Sequence, residues 1–120
     1  MDISKIVFDN IAPCKILAPD GSKTDIEIDL FGVDSKERQV AIKNMVASIP
    51  KDGSSTDEES EARGVELLAE CIPSWSNVSD NGEELKCTKE NKIRVLTEHR
   101  WIKAQVDSFG ASRANFLQKA

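Results

Sequence analysis

Cys14-Lys15-Ile16-Leu17-Ala18-Pro19-Asp20-Gly21-Ser22-Lys23-Thr24-Asp25-Ile26-Glu27-Ile28-Asp29-Leu30-Phe31 is the stretch that decides the fold. Pro19-Asp20-Gly21-Ser22 is a tight-turn sequence, because proline presets its own φ and glycine accepts a positive one. From Thr24 to Phe31 the residues alternate, with Ile26, Ile28 and Leu30 on one face and Asp25, Glu27 and Asp29 on the other. A period of two marks a half-buried antiparallel strand. With Cys14 to Ala18 as its partner, the stretch predicts a β-hairpin over residues 14–31. The three carboxylates suit the solvated side of an edge strand, where charge discourages edge-to-edge association. Contact with a basic partner surface is the second reading.

Downstream the period changes to that of helices. Gly32 breaks the strand, and Asp34 with Glu37 forms an Asp-x-x-Glu helix start. Ile42, Met45, Val46 and Ile49 recur at helical spacing until Pro50, which predicts a helix over 35–49. Residues 50–56 are a loop by composition. Thr56 and Glu59 form a capping box that opens a helix over 57–72, with Ala62, Val65, Leu68, Ala69 and Ile72 on one face. Acids in its first turn complement the helix dipole, and Pro73 ends it.

Residues 77–87 read as a second small hairpin or an extended arm about Asn81-Gly82, a type I′ dipeptide. Thr88 caps a third helix carrying Ile93, Val95 and Leu96. A fourth segment carries Ile102, Gln105, Val106 and Phe109 and stops at Gly110. The tail from Arg113 to Ala120 is a short last helix or a frayed end. Upstream, Ile3 to Phe8 is a short strand or one helical turn, too brief for periodicity to separate the two. The pattern predicts one α+β domain over residues 1–120: an N-terminal hairpin, about four helices and a small second hairpin.

A chain of 120 residues holds one modest core. Its net charge is −5, with 16 Lys and Arg dispersed among 21 Asp and Glu, the opposite of the clustered cations that bind phosphate backbones. No apolar run approaches the roughly 20 residues of a membrane span. Met1-Asp2-Ile3-Ser4 lacks the basic and apolar regions of a signal peptide. Neither nucleic acid nor membrane is an expected partner, and the expected compartment is the cytosol.

The chemistry-bearing residues are scattered. Cys14, Cys71 and Cys87 are odd in number and widely spaced, so free thiols in or near the core are expected in place of a disulfide framework or a zinc site. His99 is the sole histidine and has no base or metal-ligand partner at a useful spacing. Asp80-Asn81-Gly82-Glu83-Glu84 lacks the alternating ligands and distal Glu of a calcium loop. The six glycines nowhere form a phosphate cradle. No catalytic, cofactor-binding or metal-binding residue is assigned, and a non-enzymatic protein is expected.

The aromatics concentrate late in the chain, where Trp75, Trp101, Phe109 and Phe116 are either core or a partner-facing patch. In order and spacing, Trp75, Gly82, Thr88-Lys89-Glu90-Asn91, Trp101-Ile102, Gln105-Val106, Phe109 and Arg113-Ala114-Asn115-Phe116-Leu117 resemble the small tail assembly chaperones of siphophages and prophages. The likeness covers the C-terminal half well and the N-terminal half in outline. It implies a non-enzymatic role in tail morphogenesis in the host cytoplasm. The implied partners are tail tube protein and tape measure protein, with further copies of the chain as an option, and the protein would be absent from the mature virion. Some such chaperones are also made in a longer, frameshifted form. A structural virion component (tail completion, neck or capsid-associated) is the alternative.

Within this reading, Trp101, Ile102, Val106 and Phe109 share a helical face expected to be core. Phe116 and Leu117 follow the helix-breaking Gly110 and are expected to dock a partner, together with Arg113 and Trp75. Deletion of residues 113–120 is then expected to leave the fold intact.

Overall fold

The computed structural model describes residues 1–118. Positions 119 and 120 of the expected tail lie outside the described residues. The fold is α+β: β1 (Ile11–Leu17), β2 (Lys23–Phe31), α1 (Lys36–Ser48), α2 (Asp57–Glu70), β3 (Trp75–Ser76), β4 (Ser79–Asp80), β5 (Glu83–Glu84), α3 (Lys89–Glu98) and α4 (Arg100–Gly110). A 3-10 turn precedes β1 at Ile3–Lys5, and another follows α4 at Arg113–Phe116.

The hairpin forms as its alternation requires and starts three residues earlier than its sequence signal, at Ile11. Ala12, Cys14 and Ile16 face inward from β1, as do Ile28 and Leu30 from β2. Its turn is closed by Gly21 N–H donating to the Ala18 carbonyl (2.8 Å) and Ala18 N–H to Ser22 (2.8 Å). Gly21 takes φ +87°, and Asp20 accepts from the Ser22 amide at 2.9 Å and hydroxyl at 2.6 Å.

The edge-strand reading of β2 needs correction. The sheet order is β1-β2-β3, so β2 is central and β1 and β3 are the edges. Residues 71–77 cover the second side of β2. Phe31 N–H donates to Cys71 (2.9 Å), Asp29 N–H to Ser74 (3.0 Å), and the Asn77 side-chain amide to the Asp25 carbonyl (3.0 Å). The carboxylates of Asp25, Glu27 and Asp29 therefore line an open sheet face and do not guard an edge.

Helix α1 corrects two further expectations. Its cap is Ser35, whose hydroxyl accepts from the Arg38 amide at 3.1 Å, because the Asp34 carboxylate is held by Arg113 instead. Only Ala41 is buried on this helix, whereas Val46 and Ile49, expected in the core, stand 57% and 40% exposed. The helix packs on α2 at the flank of the molecule, away from the sheet. Helix α2 has the expected reciprocal capping box between Thr56 and Glu59. Asn81 (φ +51°) and Gly82 (φ +80°) turn β4 into β5 as a type I′ pair should.

Thr88 caps α3 by accepting from the Asn91 amide at 3.2 Å, and the chain bends at His99 into α4. The core lies between the inner sheet face and the helices: Val65, Leu68 and Ile72 from the α2 region, Val95 and Leu96 from α3, Ile102 and Val106 from α4. Trp101 and Phe109 sit half-buried at its rim. With helices on one sheet face only, the molecule is a slab of 45 × 44 × 25 Å.

Candidate interaction surface

Four residues carry the sequence expectation of partner binding, and the fold treats them differently. Trp75 is half-buried in β3 opposite Ile28, and its indole N–H donates to the Leu85 carbonyl at 2.8 Å. This bond helps tie the β4–β5 hairpin to the sheet. Arg113 is exposed and forked onto Asp34, Nε to Oδ2 at 2.8 Å and Nη2 to Oδ1 at 2.9 Å. The guanidinium, chiefly by hydrogen bonding, holds the Asp34 carboxyl below its ordinary range.

Phe116 corrects the docking expectation. It is 2% exposed and among the largest fully enclosed side chains of the core. Its ring meets Phe109 edge-to-face, with centroids 5.7 Å apart at 73°. Gly32 supplies the seat: a methyl group there would stand 3.2 Å from the Phe116 ring and 3.3 Å from the Asp9 carbonyl oxygen. A glycine distant in sequence thus admits the ring. Leu117 stays exposed and bridges Phe8 in an antiparallel pair.

That bridge organises the surface which periodicity could not resolve. Asp9 N–H donates to the Phe116 carbonyl (2.6 Å), Gln118 N–H to Val7 (2.8 Å) and Gly32 N–H to Asn10 (2.8 Å). The first ten residues form an arm whose Val7 to Asp9 pair with Phe116 to Gln118. On that arm Ile3 is 83% exposed, and Ile6, Val7 and Phe8 each remain about two-fifths exposed beside Leu117. Val40 and Val46 of α1, Ile49 at its C-cap, and Ile11 and Leu17 of β1 add further uncovered apolar side chains. Where exposed apolar side chains adjoin, as Ile6, Val7 and Phe8 do along the chain and Phe8 and Leu117 do across their bridge, they offer a surface to other molecules.

The other charged groups meet as exposed ion pairs, Arg94 with Asp80 and Glu98, and Glu61 with Arg100 and Lys103. Among the described residues no three His, Cys, Asp or Glu side chains are arranged to hold a metal ion. His99 is half-buried and stacks its ring edgewise with Trp101 at 6.3 Å. Cys14 and Cys71 are buried and Cys87 half-buried, all three with free thiols. No helix among the described residues is long and apolar enough to cross a membrane.

Sequence reasoning missed Gln105 as a structural group, although the residue belongs to the C-terminal motif. Its side-chain amide accepts from the Leu17 N–H at 2.8 Å and donates to the Leu17 carbonyl at 2.9 Å, clasping the free side of β1. Nothing local in the sequence signals this, because the partner lies on a strand far back in the chain. Comparison of the chain with protein-family models, with curated proteins and with solved structures finds no match.

Proposed function

We propose that this chain is a tail assembly chaperone of the siphophage type, a non-enzymatic protein of the host cytoplasm that holds tail tube protein, tape measure protein or both before they polymerise. The observation that carries the reading is the apolar arm, Ile3 through Phe8 with Leu117, exposed on a chain of net charge −5. An assembly chaperone needs apolar surface to cover the sticky parts of an unpolymerised subunit, and net charge to keep the complex apart from its neighbours. The arm is held mainly by a few main-chain bonds, which suits an interface that must later be given up. The likeness of Trp75 through Leu117 to tail assembly chaperones supports the same assignment.

Co-expression of the full chain with siphophage tail tube and tape measure proteins tests the reading. Affinity purification through a tag on this chain is expected to retain at least one of the two. Ile3→Asp combined with Ile6→Asp, both at exposed positions, is expected to lower that capture about tenfold or more without shifting the melting temperature. Retention of neither protein by the wild-type chain would overturn the assignment.

A further inference from the structure

We propose that Asn81 is a site of spontaneous modification, converted to aspartate and isoaspartate when the Gly82 main-chain amide attacks its side chain. The inference stands apart from the partner-binding reading above.

Three turns place an Asp or Asn directly before a glycine of positive φ: Asp20-Gly21, Asp52-Gly53 and Asn81-Gly82. Glycine obstructs its own nitrogen least, since it carries no side chain. In the first two turns both reacting groups are engaged. Gly21 N–H donates to the Ala18 carbonyl (2.8 Å) and Gly53 N–H to the Pro50 carbonyl (2.9 Å). The Asp20 and Asp52 carboxylates each accept from the amide and the hydroxyl of the serine two residues on. At Asn81 neither group is held. Its side chain and the Gly82 N–H find no hydrogen-bond partner among the described residues, and both residues are exposed. Apart from its chain neighbours, no atom lies within 4 Å of where a Gly82 Cβ would stand.

The other asparagines precede Ile11, Met45, Val78, Lys92 and Phe116, whose side chains crowd the approach to the nitrogen. Four of them also spend their side-chain amides, Asn10 on Glu37, Asn77 on Asp25, Asn91 on Lys86 and Asn115 on Phe109. The N–H that follows Asn44 lies inside α1. Asn81 alone combines a free side chain, a free N–H after it and a glycine. Attack needs the turn to leave its resting geometry for an instant, and strands of two residues each hold it weakly.

The chemistry needs only water and hydroxide. Hydroxide removes the Gly82 amide proton, and the nitrogen forms a bond to the Asn81 Cγ, closing a five-membered succinimide. The bond from Cγ to the side-chain nitrogen breaks, and that nitrogen takes a proton from water and leaves as ammonia. Water then opens the ring. Cleavage at Cγ leaves aspartate, and cleavage at the main-chain carbonyl carbon leaves isoaspartate, with the main chain routed through Cγ. The sum is one water consumed and one ammonia released. Either product adds a negative charge between Asp80, whose carboxylate Arg94 already pairs, and Glu83. Isoaspartate also lengthens the main chain by one carbon, which a two-residue turn cannot absorb without loosening the Asp80–Glu83 pairing. The change falls on the hairpin that the Trp75 indole bonds through Leu85.

Incubation of the native full chain at pH 8.5 and 37 °C, with peptide mapping by mass spectrometry over time, tests the proposal. A urea-unfolded sample and Asn81→Gly run in parallel, the latter because glycine accepts the same positive φ and keeps the turn. In the native chain the peptide carrying Asn81 is expected to gain about 1 Da, and to do so about tenfold or more faster than any other asparagine. Asn81→Gly is expected to form no acidic species on anion exchange over the same period. Asp20 and Asp52 are expected to isomerise only in the unfolded sample. In the isolated isoaspartyl form, amide exchange at Glu83 is expected to quicken. Native conversion led by another asparagine, isoaspartate at Asp20 or Asp52 matching the Asn81 rate, or an intact native Asn81 after the unfolded chain has converted would overturn the site. Unchanged Glu83 exchange in the isoaspartyl form would overturn its effect on the hairpin. All of these are read without a partner, so they fail separately from the capture of tail proteins.

Discussion

Phe116→Ala is expected to destabilise the protein by about 3–5 kcal/mol, seen as a melting-temperature drop on the order of 10–20 °C. The ring is enclosed between Gly32 and Phe109, so its loss opens a cavity that the surrounding strand and arm can refill only by moving. The cost extends to the N-terminus, because the Phe116 carbonyl accepts from Asp9 and the arm is laid on this segment. Phe116→Leu, which keeps most of the volume, is expected to cost less than half as much. Deletion of residues 113–118 should be more severe than either and abolish cooperative unfolding, the reverse of what the sequence alone predicts for this tail. Urea denaturation of the three variants checks the order. A Phe116→Ala protein as stable as wild type would return the residue to the surface and revive its docking role.

The Cys14 thiol should react about a hundredfold more slowly than an ordinary free thiol. Burial pushes the Cys14 thiol up from 9.0 to about 11, and its Sγ faces the Gln105 carbonyl at 3.9 Å. Two pH units cut the thiolate fraction about a hundredfold at any pH below 9, and only thiolate attacks an alkylating reagent. Burial also raises Cys71, against the opposing pull of the Arg38 guanidinium, and raises the half-buried Cys87. Iodoacetamide at pH 8 is therefore expected to label Cys87 first in the native protein, with Cys14 and Cys71 following only on unfolding. The linked stability has a definite sign. A thiol whose folded pKa is raised holds its proton more tightly when folded, so stability is unaffected below pH 9 and falls as pH rises toward 11. Rapid native labelling of Cys14, or stability that climbs through this window, would contradict the packing described for β1.

What could be read from the sequence was local. The alternation of β2, the Thr56–Glu59 capping box, the Thr88 cap and the Asn81-Gly82 turn each depend on residues within a few positions, and each forms. The departures all have remote causes. Asp34 fails to cap α1 because Arg113, 79 residues away, takes its carboxylate. The central place of β2 depends on β3, whose two residues are too few to alternate. Periodicity places Ile42, Met45, Val46 and Ile49 on one side of α1 but is silent on whether anything lies against that side. Phe116 reads as loose because it follows a helix stop near the terminus, yet Gly32 opens a seat that only the folded chain brings near. The apolar arm escaped assignment because six residues define no period.

Mass spectrometry of purified phage particles tests the central claim most directly, with the tag-purified complex of this chain measured alongside. The account predicts tube and tape measure peptides in the particles and none from this chain, while the complex contains this chain together with tube or tape measure protein. Peptides of this chain at fixed stoichiometry in the finished particle would contradict the chaperone role and make the protein a structural part of the virion.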